Sequence, residues 1–120
     1  MTDYSKVPDY EINARVGESL GMTAHLIEHD GRVKFRDEKG RIQGTKDYCN
    51  NPADAWPIIT DMRPNIIPER SKSGKWSIGV NIGKTLHEIE MKENNFTYAD
   101  SNLLRGCMIV FLMMKDAEKC

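Results

Sequence analysis

The segment near the C-terminus is the strongest constraint on the fold, because the eight residues from Cys107 to Met114 are all apolar. A helix drawn from about Ser101 or Asn102 to Lys115 has almost no polar side, so other parts of the protein have to cover it nearly all round. The run is much shorter than the roughly 20 residues that a membrane-spanning helix needs. We therefore predict a buried central helix, followed by a frayed tail over residues 115–120.

Four side chains of this helix are candidates either for core packing or for an interaction surface: Met108, Phe111, Leu112 and Met113. If the rest of the chain leaves them uncovered, a second copy in a symmetric homodimer is the simplest cover. Gly106 would let a neighbouring element approach the helix closely. Asp100 or Ser101 is placed to cap the helix N-terminus.

The composition is that of a globular protein, and 120 residues are expected to form a single domain over residues 1–120. The net charge of −1 gives no general attraction to nucleic acid or to an anionic membrane. The chain opens without a basic and apolar leader, and its three cysteines do not form a disulfide framework. These features indicate the reducing cytoplasm as the expected location.

The first helix is expected near the N-terminus, from Pro8 to Leu20. The fixed φ of Pro8 suits the first helical position, and Ile12, Val16 and Leu20 follow each other on one narrow apolar stripe. Gly17 inside this helix costs about 1 kcal/mol relative to alanine. Docking against the rest of the protein therefore has to stabilise the helix.

The second helix is expected to begin at Pro52, behind the N-cap residue Asn51, and to stop at Arg63-Pro64. Trp56 on this helix and Trp76 further along the chain are each expected in the core. A large aromatic side chain gains more from burial than from an exposed position, so we do not assign either of them to a ligand-stacking surface.

Alternating apolar and polar residues predict six short strands, and the turn signals Asp30-Gly31 and Gly83-Lys84 indicate hairpins. Hairpins join antiparallel strands and leave no room for crossover connections. The expected fold is α+β, with a small, mostly antiparallel sheet and three helices packed against it in a sandwich-like arrangement. The predicted strands are Met22–His29, Arg32–Arg36, Arg41–Gly44, Asn65–Arg70, Lys75–Ile82 and Thr85–Met91.

A basic patch lies on one face of the predicted second strand, because alternate residues of a strand point the same way. Residues 32–75 carry ten basic and six acidic groups, a local excess of +4. Such a face could follow the phosphates of a nucleic acid, but it is also typical of the solvated side of a sheet. The candidate face for an anionic partner, here called the basic strand face, comprises Arg32, Lys34, Arg36, Lys39 and Arg41.

Cys49 is the candidate nucleophile, since it precedes the second helix, whose N-terminus would favour a thiolate. Asp47 and Tyr48 stand beside it, but no spacing selects a general base, so packing under the helix is the expected role. His25 and His29 would lie about 13 Å apart in a strand, too far to share a metal ion. The sequence therefore predicts no catalytic residue, cofactor or metal ligand.

The segment from Gly79 to Thr85 resembles a phosphate-binding loop at first sight. The motif needs four residues between its glycines, whereas three residues separate Gly79 from Gly83. A phosphate-binding loop also follows a strand and opens a helix, and we predict a strand and a hairpin turn here. This pattern favours a turn over a phosphate site.

Three blocks of sequence are more distinctive than these motifs: Asp3–Ser5 with Tyr10–Asn13, then Asp47–Ile59, then Leu104–Met114. In this order they resemble the NinX-type proteins of tailed-phage and prophage genomes, and more loosely the wider set of phage α-β-α sandwich domains. That family groups small domains of unknown function, encoded among accessory genes near phage replication and recombination functions. The resemblance implies a phage or prophage gene expressed in a bacterial cytoplasm, and it brings no catalytic or binding residues with it.

We expect a phage or prophage accessory protein that acts as a non-enzymatic protein-interaction module, with a host or phage protein as its partner and no membrane contact. Such a module should expose an apolar or aromatic patch. The alternative is a nucleic-acid-associated protein that uses the basic strand face around Lys34 and binds in a salt-sensitive way. A third hypothesis, an enzyme with its site around Cys49, requires a pocket with perturbed titratable groups.

Overall fold

Helices and short strands alternate in the computed structural model, which describes residues 3–69 and 74–118, with Glu93 by its backbone alone. Within these ranges the helices are α1 (Asp9–Ser19), α2 (Pro52–Met62), α3 (Leu86–Glu90) and α4 (Leu103–Glu118), and 3-10 turns cover Tyr4–Lys6 and Lys92–Asn94. The strands are β1 (Thr23–Ile27), β2 (Val33–Arg36), β3 (Ile42–Lys46), β4 (Asn65–Pro68), β5 (Trp76–Asn81) and β6 (Asn95–Asp100). None of the helices in the described ranges has both the length and the apolarity to cross a membrane.

The strands form two antiparallel sheets, with the order β1-β2-β3 in the first and β4-β5-β6 in the second. The α+β class and the antiparallel pairing are confirmed, but the strands divide between two sheets instead of one. The division falls at α2, the helix that connects β3 to β4. The strand predicted over Asn65–Arg70 is the edge strand β4, which ends at Pro68, and Arg70 lies outside the described residues.

The core is centred on α4, which contacts α1, α2, β5 and β6. Its residues Cys107 to Val110 have 0% exposure, so the prediction of a buried central helix is confirmed. A Cβ atom at Gly106 would lie 2.4 Å from Cδ1 of Ile78, and the glycine therefore allows β5 to approach, as predicted. Of the four candidate side chains, Met108, Phe111 and Leu112 are buried and Met113 is half-buried.

Both ends of α4 differ from the prediction. The capping side chain is Asn102, whose Oδ1 accepts the backbone N–H of Arg105 at 3.1 Å, and not either of the two residues before it. The helix runs to Glu118 instead of fraying from residue 115, and Lys115 Nζ lies 3.5 Å from the Glu118 carboxylate. The last two residues, which include Cys120, lie outside the described residues.

The strand predicted over Thr85–Met91 is wrong, because this segment contains α3. Thr85 Oγ1 accepts the backbone N–H of Glu88 at 3.2 Å, and the Glu88 carboxylate accepts the backbone N–H of Thr85 at 2.9 Å. This reciprocal capping box starts a helix where the alternation of apolar residues predicted a strand. Gly83-Lys84 consequently makes no hairpin, and β5 pairs with β6, a strand that the sequence analysis did not predict.

The helix α2 begins as predicted, with Asn51 accepting a backbone N–H at 3.0 Å, and it ends at Arg63 in the left-handed conformation, with φ of 53°. Two apolar side chains expected in the core are exposed, namely Leu20 at 48% and Trp56 at 58%. Leu20 follows the last residue of α1, so its side chain does not continue the buried stripe of that helix. Trp56 points to solvent because α2 buries its other side, with Ala55, Ile58 and Ile59.

Candidate functional site

A cluster of polar side chains forms where the first strand turn meets the loop between β3 and α2. Its centre is Asn13 of α1, which is fully buried. Asn13 Nδ2 donates to the carbonyl of Gly31 and to the carboxylate of Asp47, each at 3.0 Å. Asn13 Oδ1 accepts the backbone N–H of Cys49 at 3.0 Å. The side chain thus forms hydrogen bonds with the β1–β2 turn and with the loop before α2, which are distant in sequence. These bonds give the buried amide the partners that it requires.

The same cluster continues to the start of α4 through Asn102 and Arg105. Asn102 Nδ2 donates to the carbonyl of Cys49 at 2.9 Å. Arg105 Nε lies 3.0 Å from the carboxylate of Asp9, and Nη2 donates to the carbonyls of Tyr4 at 3.2 Å and Val7 at 2.6 Å. These contacts join the N-terminal segment, α1, the loop before α2 and α4. We call this set of side chains the polar cluster.

The chemistry of the polar cluster does not favour a nucleophile at Cys49. Burial, and then the neighbouring carboxylate of Asp9, raise the pKa of the Cys49 thiol well above its usual range. Burial and the charge of Asp54 raise the pKa of Tyr48 to about 12. A protonated thiol is a weak nucleophile, so the arrangement favours the packing role that the sequence predicted for Cys49 over the enzymatic hypothesis.

The histidines do not contribute to a metal-binding group within the described residues. His25 is on β1, where its Nε2 lies 3.1 Å from Nη2 of Arg36. Among residues 3–69 and 74–118, no group of three or more His, Cys, Asp or Glu side chains is arranged to hold a metal ion. The described part of the chain therefore offers no built metal centre.

The basic strand face is spread over β2 and the turns on either side of it, and most of its charges have carboxylate partners. The ion pairs are Arg32 with Asp30 at 2.8 Å, Lys34 with Glu28 at 3.3 Å and Arg41 with Asp37 at 2.7 Å. Within the described residues, Arg36 and Lys39 have no carboxylate partner. The local excess of positive charge is therefore smaller at this face than the sequence suggests.

The segment that resembles a phosphate-binding loop does lie between a strand and a helix, contrary to the predicted hairpin turn. Its backbone N–H groups are already occupied. Gly83 donates to Asn81 Oδ1 at 2.7 Å, and Lys84 and Thr85 donate to the carboxylate of Glu88 at 3.1 and 2.9 Å. A phosphate would have to displace this internal carboxylate, so the geometry does not favour a phosphate site.

Residues 82–94, between β5 and β6, form a projection that we call the α3 lobe. No residue of α3 is buried. Asparagine side chains hold the lobe instead: Asn81 Nδ2 donates to the carbonyl of Ile89 at 2.7 Å, and Asn94 Nδ2 donates to the carbonyl of Glu88 at 2.7 Å. The lobe therefore has a defined backbone that does not depend on an apolar core of its own.

The α3 lobe exposes three aliphatic side chains. Leu86 is 83% exposed, Ile89 45% and Ile82 42%. Leu86 and Ile89 are three residues apart on α3 and so share one side of the helix. Sequence reasoning missed this surface because it predicted a strand here, although Thr85 and Glu88 already carried the spacing of a capping box.

The family of the chain follows from a comparison with protein-family models. The family described as "Bacteriophage P22, NinX" matches residues 3–115. The chain belongs to the NinX family. Asn13, Asp47 and Arg105, one from each of the three blocks that suggested this assignment, all belong to the polar cluster. Comparison with curated proteins and with solved structures finds no match.

Proposed function

We propose that this NinX-family protein is a phage accessory protein that works in the bacterial cytoplasm as a non-enzymatic protein-interaction module. The observation that supports the proposal is the exposure of Leu86 on the α3 lobe, at 83%. Burying one leucine side chain is worth about 1.5–3 kcal/mol. A lobe that leaves three aliphatic side chains in water gains little from them on folding, and a partner that covers them would gain this energy.

The partner expected at the α3 lobe is a protein with an apolar cavity. The aliphatic side chains Ile82, Leu86 and Ile89 stand on a backbone that is already tied by hydrogen bonds, so little backbone ordering is required on binding. The side chains that contribute most to an interface lie in well-packed pockets from which water is excluded, and a cavity in the partner would provide such a pocket. The host or phage identity of the partner is left to the experiment.

The experiment is a pull-down with the purified protein from a nuclease-treated lysate of phage-infected bacteria. We expect a protein that is retained by the wild type, lost with Leu86→Asp and kept with Trp56→Asp. Trp56 is the matched control because it is also an exposed apolar residue on a helix, at 58%. Equal retention by both variants, or no retained protein, would contradict the proposal.

The second candidate function is association with nucleic acid through the basic strand face. It is supported by Arg36, whose Nε is buried without a hydrogen-bond partner and whose guanidinium has no carboxylate partner within the described residues. Electrophoretic mobility of DNA and RNA tests this candidate. A shift at moderate salt that is lost in Arg36→Glu would favour it over the protein-interaction module.

A further inference from the structure

A second candidate surface is a groove lined by α2, by β3 and the loop after it, by the end of α1 and by Phe111 in the middle of α4, all outside the α3 lobe. Its cavity volume is about 590 Å³. This volume falls within the range of about 300–1,000 Å³ that is typical of ligand sites. We call it the α2 groove.

The inner wall of the α2 groove is apolar. Tyr48, Ile58 and Phe111 contribute buried side chains, and Leu20 and Pro57 contribute exposed ones. Leu20 is 48% exposed although the sequence pattern placed it on the buried stripe of α1. The groove therefore leaves apolar surface in water that a ligand would cover.

Tyr48 is the residue of this apolar wall that also carries a hydroxyl group. The residue is only 3% exposed, and its hydroxyl has no hydrogen-bond partner among the described residues. Solvent still reaches this hydroxyl. Among the described residues, the side-chain atom that is both fully buried and without a hydrogen-bond partner is Arg36 Nε, and the Tyr48 hydroxyl is not such an atom. Tyr48 can therefore donate or accept a hydrogen bond to a ligand in the groove.

The charges of the α2 groove are one lysine and two aspartates. Lys46 Nζ lies 3.7 Å from the carboxylate of Asp54, which also accepts the backbone N–H of Asp47 at 2.9 Å. Asp61 on α2 is exposed and has no cationic partner within the described residues. The groove therefore carries an excess negative charge beside its apolar wall, which favours a cationic ligand group and disfavours a phosphate backbone.

We propose that the α2 groove binds an extended peptide segment of a protein partner in which an aliphatic or aromatic side chain stands next to a lysine or arginine. The apolar side chain would cover Leu20, Pro57 and the buried wall behind them. The cationic group would pair with Asp61, and the Tyr48 hydroxyl would bond to the peptide backbone. This site is independent of the α3 lobe, so either proposal can fail without the other.

The experiment is selection of a displayed library of random twelve-residue peptides on the immobilised full chain, followed by affinity measurement on the enriched peptides. We expect enriched sequences to share an apolar residue adjacent to lysine or arginine. Their dissociation constants should rise at least tenfold in Asp61→Lys and in Leu20→Glu. Both positions are exposed, so both variants should fold, and thermal melting checks this. Glu90→Lys is the matched charge-reversal control and should leave binding unchanged.

Three results would overturn the proposal. The first is a set of enriched peptides without a basic residue. The second is unchanged affinity in Asp61→Lys, and loss of the same peptides in Leu86→Asp would then assign the binding to the α3 lobe. The third is a concentration-dependent dimer in sedimentation that Leu20→Glu abolishes, which would show that a second copy occupies the groove.

Discussion

The aromatic ring of Phe35 on β2 lies directly against the backbone of Gly17 on α1. A Cβ atom at residue 17 would stand 2.1 Å from Cε1 and 2.3 Å from Cζ of that ring. Phe35 has 0% exposure, so neighbouring core atoms surround its ring. The helix-weakening glycine is therefore the residue that lets α1 dock on the first sheet.

Gly17→Ala is expected to destabilise the protein by about 1–3 kcal/mol, because overpacking a core costs about this much. Alanine has a higher helix propensity than glycine, which by itself would stabilise the protein by about 1 kcal/mol. A net decrease in the free energy of unfolding would therefore come from the steric clash. Urea unfolding measures the free energy of unfolding. Ser19→Ala, at an exposed position of α1, is the control and should change it by less than about 0.5 kcal/mol.

Adding Phe35→Leu to Gly17→Ala should recover part of the loss, because the smaller side chain gives the new methyl group room. The two substitutions are therefore expected to be non-additive, with a coupling of at least about 0.5 kcal/mol. Additive effects, or a Gly17→Ala variant as stable as the wild type, would mean that the helix moves away from the sheet at no cost.

The elements that were predicted correctly carry their signals locally. Asn51 and Pro52 mark the start of α2, and Asp30-Gly31 marks the first hairpin, within a few residues of sequence. The β6 strand was missed because its partner β5 is separated from it by the α3 lobe. The contact of Gly17 with Phe35 joins a helix and a strand that are distant in sequence. From the sequence alone, Gly17 could be interpreted only as a residue that weakens the helix.

Cys49 and Cys107 are expected to resist alkylation by iodoacetamide in the native protein at pH 8. Burial raises the pKa of Cys107 to about 11 and that of Cys49 well above its usual range, so neither forms a reactive thiolate at this pH. Peptide mass spectrometry after a timed reaction measures the rates at the two sites. Modification of Cys49 as fast as that of an unfolded control would revive the enzymatic hypothesis.

The same two thiols predict how stability depends on alkaline pH. Because their pKa values are raised in the folded protein, the unfolded chain releases its thiol protons first as the pH rises. The free energy of unfolding should therefore decrease above the ordinary thiol pKa of 9.0. Cys49→Ser should reduce the slope of this decrease, and an unchanged slope would show that Cys49 ionises equally in both states.

The α3 lobe should loosen in acid through Glu88. Hydrogen bonds from the backbone N–H of Lys84 and from Thr85 hold the pKa of the Glu88 carboxyl below its usual value of 4.5. A lowered pKa contributes stability that is present above pH 4.5 and is lost as the pH falls through the lowered value. The amide NMR shifts of Lys84 and Thr85 should titrate with a midpoint below 4.5.

Glu88→Gln is the control for this titration, because glutamine can keep the capping box without an ionisable group. The amide shifts of Lys84 and Thr85 should then stay constant from neutral to acid pH. A wild-type midpoint at or above 4.5 would mean that the carboxylate does not hold the lobe in solution.

The candidate sites were less predictable than the fold because they depend on contacts between distant residues. Asn13 and Asp47 could each be read from the sequence only as members of separate blocks, and their hydrogen bond appears once α1 and the loop before α2 are placed together. Leu20 and Trp56 followed apolar patterns that predict burial. Their exposure depends on where each helix ends and on which side its neighbours cover.

Arg105 is expected to be irreplaceable by lysine. Its side chain is only 13% exposed, and its guanidinium contacts Asp9 at 3.0 Å and Asp100 at 3.5 Å while donating to the carbonyls of Tyr4 and Val7. Lysine keeps the charge, but it cannot reach four acceptors from one planar group. Removing one partner of a buried ion pair costs about 3–5 kcal/mol.

We expect Arg105→Lys to lower the free energy of unfolding by about 2–4 kcal/mol, less than for a fully buried pair because Asp9 is 40% exposed. The N-terminal segment should also detach locally, since its carbonyls lose their donor, and trypsin should cleave after Lys6 faster than in the wild type. Urea unfolding and mass spectrometry of the tryptic products measure the two effects. Arg32→Lys is the control, because its ion pair with Asp30 is solvent-exposed and the change should leave both measurements close to the wild type. If Arg105→Lys matches the wild type in both measurements, the polar cluster does not anchor the N-terminal segment.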